Sequence, residues 1–216
     1  MMIKTVLFDL DGTITDPGLG ITNSIMYSLS KFGIEVGDRK ELYPFIGPPL
    51  WESFERFFGF SKEKAQEAVD QYRVYYKDKG IFECELYDGI VELFKKLKQN
   101  GITVIMATSK PEIFANRLAE HFEFSQYFDL ICGSMLDGTR KEKDEVIEYA
   151  INTLSVDTKS AVMVGDRMYD IMGGKKFSMK TVGVSYGYGE KSELLEYKAD
   201  FIADSVKDLE EILFSM

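Results

Sequence analysis

The sequence is short of the residues that most often announce a special architecture. Its 216 residues hold two cysteines, five prolines, one histidine and one tryptophan. Two cysteines, Cys84 and Cys132, exclude a disulfide framework and carry no metal-ligand spacing, so free buried thiols in a reducing compartment are expected. The single histidine, His121, lies on a polar stretch and is expected at the surface. No apolar run approaches the length of a membrane span. The first eight residues lack the longer apolar region and small-residue cleavage site of a signal peptide. Positive charge is scarce as well: 26 Lys and Arg stand against 36 Asp and Glu, a formal net charge of -10. Such a chain repels nucleic-acid backbones and anionic membranes. The expectation is a cytoplasmic protein with neither nucleic acid nor membrane as partner, its oligomeric state (monomer or homodimer) left open.

What is present is a regular alternation. Short apolar runs rich in branched residues recur at Val6–Phe8, Ile102–Met106, Phe128–Cys132, Ala161–Val164 and Thr181–Val184, as buried parallel strands do. Between them run helical stripes. Ile90, Phe94 and Leu97 share one face of a helix that Gly101 stops, and Val146, Ile147, Ala150, Ile151 and Leu154 share another. Alternating strands and helices predict an α/β fold, a Rossmann-like parallel sheet covered on both faces.

One segment breaks the alternation. Helical patterns at about 21–32, 50–58 and 65–76 follow one another with no convincing strand between them. They predict a small helical domain inserted after the first strand, residues 17–83, with the α/β core formed by 1–16 and 84–216. The Phe54, Phe57 and Phe58 cluster reads as the core of that insertion.

Ligands of open parallel sheets bind outside the carboxyl ends of the strands, so the residues that follow each strand carry the chemistry. The first strand runs into Asp9-Leu10-Asp11-Gly12-Thr13. Two carboxylates two residues apart can face one cleft if the chain turns after Asp9, and Gly12 permits that turn. One carboxylate can attack phosphorus, and the other can move protons for the leaving group and for water. A second strand delivers Thr108-Ser109-Lys110-Pro111, a hydroxyl and amides before a Pro at an expected first helical position, which suits an anion. The basic run Arg140-Lys141-Glu142-Lys143 enters a helix expected near Asp144 and offers a cation to offset phosphate repulsion. A fourth strand ends in Gly165-Asp166, with Asp170 one helical turn on along the same face, and hard carboxylate oxygens there suit magnesium.

The combination of Asp9-Leu10-Asp11-Gly12-Thr13, Thr108, a Lys before a helix and Gly165-Asp166 with Asp170 resembles the haloacid dehalogenase superfamily over nearly the whole chain. The helical insertion resembles that superfamily's first type of cap. Phe45-Ile46-Gly47-Pro48-Pro49-Leu50 and Val184-Ser185-Tyr186-Gly187-Tyr188-Gly189 are most similar to the phosphoglycolate phosphatase-like branch. The resemblance implies a magnesium-dependent phosphatase acting through an aspartyl-phosphate on a small-molecule phosphate ester, phosphoglycolate-like or, as for a 5'-nucleotidase, a nucleoside monophosphate. It implies Asp9 as nucleophile and metal ligand, and Asp11 as general acid and base and a metal ligand through its carbonyl. Asp166 would complete the Mg2+ site, with Asp170 behind it. Thr108, the Ser109 amide and Lys143 would bind the phosphoryl group, with Lys141 and Arg140 as alternatives to Lys143. Substrate contacts are expected from Ile46–Trp51 and from the helix beginning near Gly20. A phosphomutase of the beta-phosphoglucomutase type and a non-catalytic module on the same fold are the rival readings.

Overall fold

The computed structural model describes residues 2–216. In chain order the elements are β1 (Thr5–Phe8), β2 (Thr15–Asp16), α1 (Gly18–Ser30), α2 (Leu50–Phe58), α3 (Lys62–Tyr76), β3 (Glu85–Leu86) and α4 (Ile90–Gln99). Next come β4 (Thr103–Pro111), α5 (Glu112–His121), β5 (Leu130–Ser134), α6 (Lys143–Leu154) and β6 (Ala161–Gly165). The chain ends with α7 (Met168–Lys176), β7 (Lys180–Val184), α8 (Lys191–Glu196), β8 (Phe201–Ala203) and α9 (Val206–Ser215). Contacts divide the chain into two compact units, 2–15 with 86–216, and Asp16–Glu85. The two crossings, at β2 and β3, form a two-stranded sheet of their own.

Among the described residues the larger unit is built on six strands in the order β5-β4-β1-β6-β7-β8, all pairings parallel. Strand β1 is central: Thr5 pairs with Thr103 on one side and Ala161 on the other. Its neighbours leave no edge exposed and helices cover both faces, which is why Val6, Leu7 and Phe8 are fully buried. On one face Val146, Ile147 and Ala150 of α6 pack on Leu7, Ile105 and Met163. Each of these side chains larger than alanine contributes about 1.5–3 kcal/mol by leaving water. On the other face Phe94 packs edge-on against Phe8 at 5.3 Å and Phe128 at 4.9 Å.

The expected strands and helices are present, with three differences that have physical causes. Strand β4 runs on to Pro111, so Pro111 caps α5 from outside the helix instead of opening it. Its register against β5 shifts between Ala107 and Pro111. Helix α6 begins at Lys143, held by a capping box in which Glu145 reaches back to the Glu142 amide. Strand β8 is three residues long with only Ala203 buried, too short for a periodic signal.

The smaller unit is helical. Asp16 accepts the Gly18 amide at 3.0 Å and α1 follows. A 3-10 helix spans Arg39–Phe45, and the left-handed Gly59 (φ 63°) ends α2. Ser61 caps α3 through the Lys64 amide. Phe45 meets Phe54 and Phe57 at 5.3 Å, Phe54 stacks on Phe60 at 6.0 Å, and Phe58 closes the cluster. Phe45, Phe54 and Phe60 are buried in the core of this unit, whereas Phe58 is half-buried and Phe57, expected in that core, is exposed at its rim. Gly20 has no room for a side chain, since a Cβ there would lie 1.8 Å from the Gly80 carbonyl oxygen. Among the described residues no helix is long and apolar enough to cross a membrane.

Candidate active site

Asp9 follows β1 while still in the ladder, its amide bonded to the Val164 carbonyl at 2.9 Å. The chain then folds tightly on the Leu10 carbonyl, which accepts from Ile14 at 2.9 Å and Thr15 at 3.0 Å. Gly12 makes the turn possible at φ +82°, and a Cβ there would lie 2.2 Å from Asp166 Oδ2. The turn needs glycine for its backbone angle, and the site needs it for room.

Strand β6 ends beside β1 and delivers Asp166, followed by Asp170 at the third position of α7. Oxygens of Asp9, Asp166 and Asp170 lie within 4.8 Å of one another, and all three residues are buried. Lys143, at the start of α6, reaches into the cluster. Its Nζ stands 2.7 Å from Asp9 Oδ1, 2.7 Å from Asp170 Oδ1 and 3.0 Å from the Ala107 carbonyl. Burial works to lower the Lys143 ammonium, but the charges of Asp170 and Asp9 outweigh it and hold the group above its ordinary range, so it stays charged. Burial pushes the Asp170 carboxyl up to about 6, with Lys143 pulling it down and Asp9 pushing it up. Asp166 is raised well above the ordinary carboxylate range, first by burial and then by Asp170 and Asp9.

Of the three cations at the entrance to α6, Lys143 alone meets the carboxylates. Arg140 turns to Glu112 and the Gly133 carbonyl, with its guanidinium 4.0 Å from the centre of the Tyr149 ring. Lys141 is exposed beside Glu142. Thr108 is buried at the end of the regular part of β4, its hydroxyl accepting the Lys110 amide at 3.2 Å. The Ser109 carbonyl accepts the Ser134 hydroxyl at 2.8 Å. Asp170, expected one step back from the metal, stands in the same cluster as Asp9 and Asp166. His121 is exposed at the end of α5.

Two groups escaped the sequence reading. Lys110 is buried and grips both oxygens of Asp11, at 2.6 and 2.8 Å. Its signal was its place between Thr108-Ser109 and Pro111, at the end of a strand that enters the site. The loop after β7 wraps Asp166: the Tyr188 amide donates to Asp166 Oδ2 at 2.8 Å. A Cβ on Gly187 would lie 2.5 Å from the Asp166 Cβ, and one on Gly189 1.8 Å from the Asp166 carbonyl oxygen. Tyr186 donates its hydroxyl to the Thr13 carbonyl at 3.1 Å and packs edge-on against Tyr87. The glycine-spaced run Ser185–Gly189 was visible, but its role as a collar around Asp166 depends on the sheet order.

A divalent cation fits this cluster. Lys143 pairs with two of the three carboxylates, Asp9 and Asp170, and the buried Asp166 Oδ1 has no hydrogen-bond partner among the described residues. A buried carboxylate oxygen without a donor is costly unless something positive meets it. Hard oxygens with no nitrogen or sulfur ligand suit magnesium.

A family described as haloacid dehalogenase-like hydrolase matches residues 6–184. A 5'-nucleotidase from Pseudomonas aeruginosa is 40% identical over 97% of this chain and 95% of its own. The pyrophosphatase PpaX of Bacillus cereus is 31% identical over 100% of this chain and 99% of its own. The crystal structure of a predicted phosphatase from Clostridium acetobutylicum superposes with a TM-score of 0.96 at 44% identity, covering 100% of both chains.

Proposed function

Because the chain belongs to the haloacid dehalogenase-like hydrolase family, we propose that it is a magnesium-dependent phosphatase working through an aspartyl-phosphate on Asp9. Its class, a phosphatase, follows from the family and from its phosphatase relatives. The observation that carries the finer reading is the convergence of Asp9, Asp166, Asp170 and Lys143 at the carboxyl ends of β1 and β6.

Asp9, Asp166 and the Asp11 carbonyl, with Asp170 beside them, would hold a magnesium ion, which supplies charge neutralisation and polarises phosphoryl oxygens. The Asp9 carboxylate attacks phosphorus as the ester oxygen leaves. Asp11 gives that oxygen its proton, so the alcohol departs neutral. Water then attacks the aspartyl-phosphate, losing one proton to Asp11 and releasing inorganic phosphate and the Asp9 carboxylate. Lys143 offsets the repulsion between Asp9 and the phosphate dianion. Thr108 and the Ser109 amide bind phosphoryl oxygens. Phosphoryl transfer depends on this kind of placement and charge balance more than on covalent steps.

Nucleoside 5'-monophosphates are the first substrates to try, because the 40% identical relative is named a 5'-nucleotidase. Pyrophosphate is second, on the PpaX relative, and phosphoglycolate third, on the motif resemblance. The inserted unit, Asp16–Glu85, is read as the cap that selects among them.

The test is phosphate release from these three and an aryl phosphate, with magnesium and with a chelator, for wild type and Asp9→Asn. Magnesium-dependent turnover that Asp9→Asn abolishes is the expected result. Turnover that survives Asp9→Asn, or that ignores the chelator, overturns the reading.

A further inference from the structure

We propose that Lys110 is the positioning residue for Asp11, holding its carboxyl in the orientation from which it passes protons to and from the reacting oxygens. The proposal rests on the phosphatase reading above.

Three features of the structure carry it. Lys110 Nζ meets both carboxylate oxygens of Asp11, at 2.8 and 2.6 Å. A group held at both oxygens is fixed in rotation as well as in place. The lysine side chain is only 4% exposed and that of Asp11 15%, so the clamp is shielded from competing water. The backbone is also arranged to present the lysine. From Ala107 to Pro111 strand β4 advances four positions while β5 advances two, from Cys132 to Ser134. Such an irregularity re-aims a side chain that a regular strand would send elsewhere. The Lys110 amide is pinned within it by the Thr108 hydroxyl at 3.2 Å.

Placing an ammonium in so enclosed a spot is unfavourable unless it is paired. Nothing in the turn after Asp9 requires it, because that turn is held by its own backbone bonds to the Leu10 carbonyl. The site thus contains two lysines with separate tasks. Lys143 meets Asp9 and Asp170, and Lys110 meets Asp11. The first balances charge where phosphorus is attacked, and the second orients the proton carrier. When Asp11 holds a proton on one oxygen, the other still accepts from Lys110. The clamp therefore survives both halves of the reaction, as the proton goes to the leaving oxygen and a new one arrives from water.

Leaving-group dependence separates this role from a structural one. An alkyl phosphate needs the proton from Asp11 as its oxygen departs, whereas an aryl phosphate with an acidic phenol needs it far less. General acid–base catalysis contributes about 10²–10⁴-fold. Mis-setting the acid without removing it should cost part of that, so Lys110→Met should lower kcat/KM for the alkyl ester about 10–100-fold more than for the aryl ester. In an Asp11→Asn background, Lys110→Met should add no further loss on the aryl ester. Equal losses on both esters, or a full additional loss in the Asp11→Asn background, overturn the proposal. Should Lys110→Met fail to fold, Lys110→Gln, one bond shorter and uncharged, gives up the grip on both Asp11 oxygens and reads the same ratio. Asp9→Asn is run beside them: if it retains turnover the phosphatase mechanism itself fails, whatever Lys110 does.

Discussion

Replacing Asp166 by Asn should stabilise the metal-free protein while abolishing its response to magnesium. Asp9, Asp166 and Asp170 present oxygens within 4.8 Å of one another, yet among the described residues the Lys143 ion pairs reach only Asp9 and Asp170. Two like charges at such a separation repel by about 3–4 kcal/mol at an effective dielectric near 20, and Asp166 has two such neighbours. Protonation relieves part of this, as its raised carboxyl indicates. An asparagine keeps an acceptor for the Tyr188 amide and carries no charge. The metal-free variant should gain about 1–2 kcal/mol, a rise in Tm of about 2–8 °C for a chain of this size. The pH dependence has a fixed sign. A carboxyl raised in the folded state stabilises it fully below the unfolded value near 3.8, and loses that contribution as pH rises through the folded value, about 6 for Asp170, with Asp166 likewise raised. Metal-free wild type should therefore melt lower at pH 8 than at pH 5, and Asp166→Asn should flatten the slope. Thermal denaturation in chelator and then in saturating magnesium reads all of this. A metal-free variant that melts below wild type, or that keeps the wild-type magnesium shift, refutes the reasoning.

Two further predictions follow from the same cluster. Lys143→Met leaves the carboxylates with no ammonium of their own. It should destabilise the metal-free protein by about 3–5 kcal/mol, read from urea denaturation, with magnesium restoring part of the loss. Gly165→Ala adds a methyl group 2.1 Å from the Asp170 Cγ; it should weaken the magnesium-induced rise in Tm about 10-fold in apparent affinity, and an unchanged magnesium titration would show that Asp170 can move aside.

The parts legible in the sequence were those with local signatures. The apolar runs placed the central strands, because each is buried on both faces and contains little else. Asp9 and Asp166 could be singled out because each follows a strand, whereas Lys143 stood in one basic run with Arg140 and Lys141, which only the assembled structure tells apart. Strand β8 was missed for want of length, and the extension of β4 to Pro111 because Ser109 and Lys110 look like loop residues. The Lys110–Asp11 pair depends on β4 lying next to β1 and on a register shift, neither of which is written in local pattern. The collar formed by Gly187, Tyr188 and Gly189 around Asp166 depends likewise on which strand lies next to β6. Only the assembled sheet brings those residues together.

The central place of β1 bears on how the chain acquires its structure during synthesis. Strand β1 leaves the ribosome with both of its partners still far downstream, since Thr5 pairs with Thr103 and Ala161. Such long-range pairings close late and slow folding. The helical unit, complete once Glu85 has emerged, can settle while β1 is still unpaired. At about 5–20 residues per second, the apolar Val6-Leu7-Phe8 segment waits several seconds for its neighbours, an interval in which a chaperone that shields extended apolar segments has its opportunity.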